Sequence, residues 1–193
     1  MASAVKAAQV PHVVVLSSMG ADLPDGTGPI QGLHHFEKAL AATGTKVSAI
    51  RAGFFMENIS SGIAAAKNSG VYPNMMPSRT MPMPMIATKD IGKLVAELLV
   101  AGPKSENVDL HGPSYTVEQV AQKVGKALQK NIQIVDIPAS GWFEALTKAG
   151  LSKAWANAYI EMYNALLSGR ISPKGHRAVS GKTELDEVIK QLV

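Results

Sequence analysis

HVVVLSSMG, residues 12–20, decides the fold class. The apolar run Val13 to Leu16 ends in two serines and a glycine, which suits a short strand buried on both faces, as in a parallel sheet. Downstream, a loop rich in Gly, Pro and Asp runs from Gly20 to Pro29. It leads into Ile30 to Thr43, where Leu33, Phe36 and Leu40 recur at helical spacing before Gly44 stops the helix. Val47 to Ile50 reads as a second short strand. Strand, helix, strand is the βαβ pattern, whose crossover is right-handed almost without exception, so the expected class is α/β.

The alternation continues beyond it. Asn58 suits the N-cap of a helix through Lys67 that Gly70 closes, and Thr88 suits the cap of a helix running to Gly102 with Asp90 in its first turn. Between Tyr72 and Ile86 five methionines and four prolines predict a loop or an edge, because proline lacks the donor a central strand needs. Asn107 to Leu110 and Ile132 to Ile137 read as strands, separated by a helix that Thr116 and Gln119 open as a capping box. From Trp142 the chain is expected to be mainly helical. Trp155, Tyr159, Met162, Tyr163 and Leu166 form one stripe read as core, and Thr183 with Asp186 is expected to cap the last helix.

The 193 residues suit one domain, with 46% hydrophobic and 18% charged residues. No cysteine is present, which excludes disulfides and thiolate metal sites, and no His/Asp/Glu set has metal-ligand spacing. The net charge of +4 is spread along the chain without a basic run or interleaved aromatics, so nucleic acid is not an expected partner. Neither an apolar leader nor a stretch near the roughly 18 apolar residues of a span occurs, so no membrane association is expected and the cytoplasm is the default compartment.

In order and spacing, VVVLSSMGA (13–21), GLHHFE (32–37) and SAIRAGFFMEN (48–58) resemble the NmrA-like family of atypical short-chain dehydrogenase/reductases. ATKDIGKLVAELL (87–99), VDLHGPSYTVEQVAQKVGKAL (108–128) and GKTELDEVIKQLV (181–193) extend the resemblance over nearly the whole chain. It implies a Rossmann-type parallel sheet with flanking helices and a mainly helical substrate lobe, and an NAD(P)-dependent oxidoreductase or a nucleotide-sensing relative. Residues 1–58 would then be a remnant of the dinucleotide-binding sheet and 59–193 the substrate side. The family's glycine-rich turn, which receives the pyrophosphate at a helix N-terminus, has no counterpart here. Tight NAD or NADP binding is therefore not expected, and the chain alone is expected to be inactive. The alternative is a non-catalytic module that binds a small molecule or a protein.

Ser17 and Ser18 sit where a parallel strand ends, the usual place for ligands, although serines there also satisfy loose backbone groups. The resemblance makes Ser17 a candidate for the substrate oxygen and Ser18 for the cofactor. It also aligns His34 and Lys38 with the Tyr-x-x-x-Lys pair of related enzymes, His34 as proton donor. Against this, the apolar stripe puts both on a flank of the helix and His35 opposite the core, and Glu37 would pair with a neighbour or face water. RAGFFMEN resembles the segment passing the nicotinamide ring, which makes Phe54 and Asn58 candidate cofactor contacts and Phe55 and Met56 candidate substrate contacts, unless they are core. Met81 joins the substrate candidates from the Met/Pro segment, read as an adaptable lid or as one face of an extended edge. The strand at 12–17, losing a neighbour, would pair with a second copy in a homodimer.

Overall fold

The computed structural model describes residues 1–193. Its elements in chain order are α1 (Ala2–Ala7), β1 (His12–Ser18), α2 (Gln31–Ala41), β2 (Lys46–Ala52), β3 (Phe54–Phe55), α3 (Ser60–Ser69), β4 (Val71–Asn74), β5 (Met83–Ile86) and α4 (Thr88–Ala101). They continue as β6 (Glu106–His111), β7 (Ser114–Tyr115), α5 (Val117–Leu128), β8 (Gln133–Asp136), α6 (Trp142–Lys148), α7 (Lys153–Leu167), β9 (Arg177–Ser180) and α8 (Leu185–Leu192).

The main sheet is parallel in the order β1-β2-β6-β9, so β1-α2-β2 is the βαβ unit that the sequence predicts. Successive side chains of a strand point to opposite faces, and β2 shows the consequence. Val47 and Ala49 join Val13, Val15, Phe36 and Leu40 under α1 and α2, whereas Ile50 and Ala52 join Val108, Leu110, Ile91, Leu94 and Leu98 under α4. A third core, around Met56, Ile63, Val124 and Ile189, ties α3, α5 and α8 together.

Several expectations need correction. β1 is an edge strand and Leu16 is 42% exposed, so the run is not buried on both faces. β6 and β9, half of the main sheet, lie beyond residue 58. β9 itself interrupts what reads as a helical C-terminal region; it is four residues of mixed polarity at the far edge, too short to carry a periodic signal. β5, with Pro84 inside it, is the middle strand of a small sheet. The proline is tolerated because β7 pairs with Met83 and Pro84 while β3 pairs only with Met85 and Ile86.

Three caps differ as well. Residues 56–59 form a 3-10 turn ahead of α3, which leaves Asn58 exposed and not at the cap. Thr88 lies inside α4, and α8 starts after Glu184 without a side-chain cap. The Thr116/Gln119 capping box is present, with Thr116 Oγ1 accepting from Gln119 N at 3.1 Å and Gln119 Oε1 from Thr116 N at 2.9 Å.

Candidate functional site at the strand ends

Parallel register brings Ser17 of β1, Arg51 of β2 and Asp109 of β6 into one row at the C-terminal ends of the strands, on the face that α2 covers. The row lies one pleat beyond the apolar Val15 and Ala49. Glu37 reaches into it from α2, where its carboxylate accepts from Ser17 Oγ at 2.6 Å, Arg51 Nε at 3.1 Å and Arg51 Nη2 at 2.6 Å. Asp22 lies 3.9 Å from Arg51 and 3.3 Å from Lys174. Burial alone would lower the pKa of Arg51, but the hydrogen bonds and charge of Glu37, with Asp22 and Asp109 behind it, leave it raised. Asp109 accepts from Gly175 N at 2.6 Å through one oxygen, and its other oxygen is buried without a partner.

The candidates do not converge on one ligand. Ser17 is 3% exposed and its hydroxyl is committed to Glu37, while Ser18 Oγ donates to the Met19 carbonyl at 2.9 Å. His34 is buried, not on a solvated flank; its Nδ1 lies 2.8 Å from the Ala21 carbonyl, so that nitrogen carries the proton. One turn later Lys38 is exposed, as is His35. Met56 is fully buried and offers a ligand no surface; Phe54, Phe55 and Met81 are half-buried, the first two against the cores. The Met/Pro segment is pinned, because Arg79 donates three bonds of 2.8–3.0 Å to Asp136 and a fourth of 3.0 Å to the Ile134 carbonyl.

Sequence reasoning gave no role to Arg51, Asp109, Asp22 or Lys174, and it left Glu37 in water or in a weak pair. The available signal was a charged residue at each of two expected strands, Arg51 directly after Val47 to Ile50 and Asp109 within Asn107 to Leu110.

Over the loop that follows β1 lies α7. A Cβ at Gly28 would fall 1.9 Å from the Ala158 carbonyl oxygen, so only glycine admits this approach. The stripe on α7 is not core throughout. Trp155 is 55% exposed and Tyr159, Met162, Tyr163 and Leu166 are half-buried, while the fully buried positions of the helix are Ala156 and Ala165. Hollows of about 320 Å3 beside α5 and about 360 Å3 between α7 and the loop after β1 at Gly26 are wide open, and neither contains a residue of the Ser17–Arg51–Asp109 row.

Does this site fit a dinucleotide? A pyrophosphate needs glycines whose backbone is open to it. Two of the strand-end glycines are closely approached by the chain itself: a Cβ at Gly20 would meet Ile171 at 3.0 Å, and one at Gly112 the Met85 carbonyl at 2.5 Å, whereas one at Gly53 would meet nothing nearer than 3.7 Å. Neither of these two glycines presents open backbone to a pyrophosphate. The family model of the NmrA-like family matches residues 1–180. The chain belongs to that family. In fold, this NmrA-like chain is similar to triphenylmethane reductase of Citrobacter sp. complexed with NADP(H), at a TM-score of 0.78 and 18% identity over 100% of this chain and 69% of that one. It is similar to the NADPH-dependent quinone oxidoreductase of Escherichia coli complexed with NADPH at 0.71 and 21%, over 99% and 69%. A nucleoside-diphosphate-sugar epimerase of Staphylococcus aureus aligns at 0.68 and 17%, over 99% of this chain and 63% of that one. No curated protein matches the sequence. No helix is long and apolar enough to cross a membrane.

Proposed function

We propose that these residues form the substrate side of an NAD(P)-dependent oxidoreductase, and that they do not by themselves hold the dinucleotide tightly. The observation that carries the reading is the NmrA-like match over residues 1–180. The two similar reductase folds, solved with NADPH or NADP(H), support it. At the strand ends, Glu37, bonded to Ser17 and Arg51, holds the β1 and β2 termini and α2 in fixed relation, with β1 at the edge of the sheet. Phe54, Phe55 and Met81 are the apolar residues of RAGFFMEN and the Met/Pro segment with surface left for a small-molecule substrate.

The second reading, a non-catalytic binding module, is favoured by the commitment of Ser17 to Glu37 and of His34 to Ala21, which leaves neither poised for proton transfer. Calorimetric titration with NADPH and NADH tests the cofactor side. Little or no heat above dilution is expected below millimolar nucleotide. A dissociation constant near 1 μM, about −8 kcal/mol, would show that another part of the chain holds the pyrophosphate.

A further inference from the structure

The free edge of β1 and one flank of α4 lie on the same side of the molecule, and together they are complementary to themselves. Pro11 O accepts from Lys46 N and Met19 N donates to Ala52 O, so the odd-numbered residues of β1 turn their backbone groups toward β2. Those of His12, Val14 and Leu16 line the other side, where β1 has no neighbour. Leu16 is 42% exposed, and the strand lacks the lysine, proline or bulge that blunts an open edge.

Above this edge, α4 lies across β1 and β2 on the face that carries Val14. Its Asp90 side is turned toward β9: Asp90 Oδ2 accepts from Thr183 N at 2.9 Å, and a Cβ on Gly181, the residue after β9, would meet it at 2.7 Å. At roughly 100° per residue, Lys93 and Glu97 fall on the Asp90 side, whereas Gly92, Val95, Ala96 and Leu99 form the flank over the β1 edge. That flank is uncharged, and all of it except the half-buried Val95 is exposed.

We propose that the β1 edge and this flank of α4 form a two-fold interface with a second copy of the chain, joining two four-stranded sheets into one. Antiparallel pairing about Val14 sets Val14 opposite Val14 and Leu16 opposite His12, and gives every free N–H and C=O of these residues a partner. The two-fold axis then stands perpendicular to the sheet, so both copies of α4 meet on one face. Strands are about 4.8 Å apart and α4 sits about one such spacing from the axis, which brings the two helices to about 10 Å, the separation of packed helices. Sheet twist of about 20–25° per strand crosses them at about 40–50°, the angle at which i, i+4 ridges such as Val95–Leu99 interlock. No charge on the flank meets its own copy. On the other face α1 is about 9 Å long and stands beside the start of β1, so antiparallel pairing sends its two copies to opposite ends.

The proposal is independent of the substrate-side reading. Sedimentation equilibrium of the unmodified chain should show a dimer. Leu99→Glu should weaken it at least tenfold with circular dichroism unchanged, whereas Val100→Glu, one residue on but 89% exposed on the outer side of α4, should leave it intact. The chain has no cysteine, so single cysteines report the geometry: a short bis-maleimide should link Leu99→Cys to its copy and leave Val100→Cys unlinked. A monomer, an open series of larger species, or equal effects at the two positions would overturn the proposal. A dimer that Leu16→Lys dissociates but Leu99→Glu does not would overturn the helix contact, since the strands would then pair without it.

Discussion

Replacing Glu37 by glutamine keeps the shape of the side chain and removes the charge that balances Arg51. The two side chains are 13% and 7% exposed, so neither is well solvated when left alone. Glutamine has one carbonyl oxygen for three donors, and its amide would set N–H against N–H at the guanidinium. Breaking a buried pair by removing one partner costs about 3–5 kcal/mol, most of it from the charge left behind. Asp22, 3.9 Å from Arg51, offsets part of that, which favours the lower end, about 3 kcal/mol. For a chain of this size that is a melting-temperature fall of about 6–12 °C. Urea unfolding should show the midpoint moving down with the m-value unchanged. The double variant Glu37→Gln/Arg51→Met should recover much of the loss, because an apolar replacement removes the uncompensated charge. A loss below about 0.5 kcal/mol for Glu37→Gln would place the pair in the weak, solvated class and refute the reasoning. A double variant no more stable than the single one would do the same.

Gly28→Ala should destabilise by about 2 kcal/mol or more in thermal melts, since its φ of +56° is strained for alanine and the Cβ would strike the Ala158 carbonyl; an unchanged melt would mean that α7 does not press on this loop. At the β1 edge, α1 packs on the inner face with Val15 and Leu40 and leaves the edge itself open, so sedimentation of the unmodified chain is expected to show a strand-paired dimer. Val14→Lys should dissociate it or, because Val14 packs on the core under α4, abolish folding, which circular dichroism separates, whereas Leu16→Lys at the exposed position of β1 should dissociate it with circular dichroism unchanged; a monodisperse monomer before substitution would refute the pairing. Burial, with the Glu184 hydrogen bond adding to it, pushes Tyr115 up to about 12, and burial pushes Tyr72 to about 12, from an ordinary 10.0. The folded state thus holds these protons after the unfolded chain has released its own, so stability should be full below pH 10 and fall between pH 10 and 12. Urea midpoints across that range should show the fall, less steeply in Tyr115→Phe; a flat profile would contradict it.

Local signals in the sequence were read correctly where local physics decides the outcome. The βαβ unit follows from an aliphatic run, a helical period and a second aliphatic run, and the Thr116/Gln119 box satisfies backbone donors within one turn. The failures are tertiary. Asn58 and Thr88 have the composition of caps, yet Glu57 accepts from Thr88 N at 2.9 Å and Thr88 Oγ1 at 2.6 Å, capping α4 across 31 residues of sequence. His34 and Glu37 lie beside the apolar stripe of α2, and no single-helix argument can show that the Ala21 carbonyl and the Arg51 guanidinium wait there. Likewise the α7 stripe is periodic whether or not anything covers it, and only the structure shows that Trp155 is more than half exposed while Met162 lies against Gly28.

Saturation-transfer NMR on the 193-residue chain with millimolar NADPH tests most directly whether these residues are the substrate side of a dinucleotide-dependent fold. Irradiation of protein methyl groups should carry over to the nicotinamide ring protons, because the strand ends and RAGFFMEN are read as facing that end of the cofactor. The adenine protons should receive little, because these residues lack an open glycine turn for the phosphates. Strong saturation of adenine, or none on the nicotinamide, would contradict this assignment of the chain.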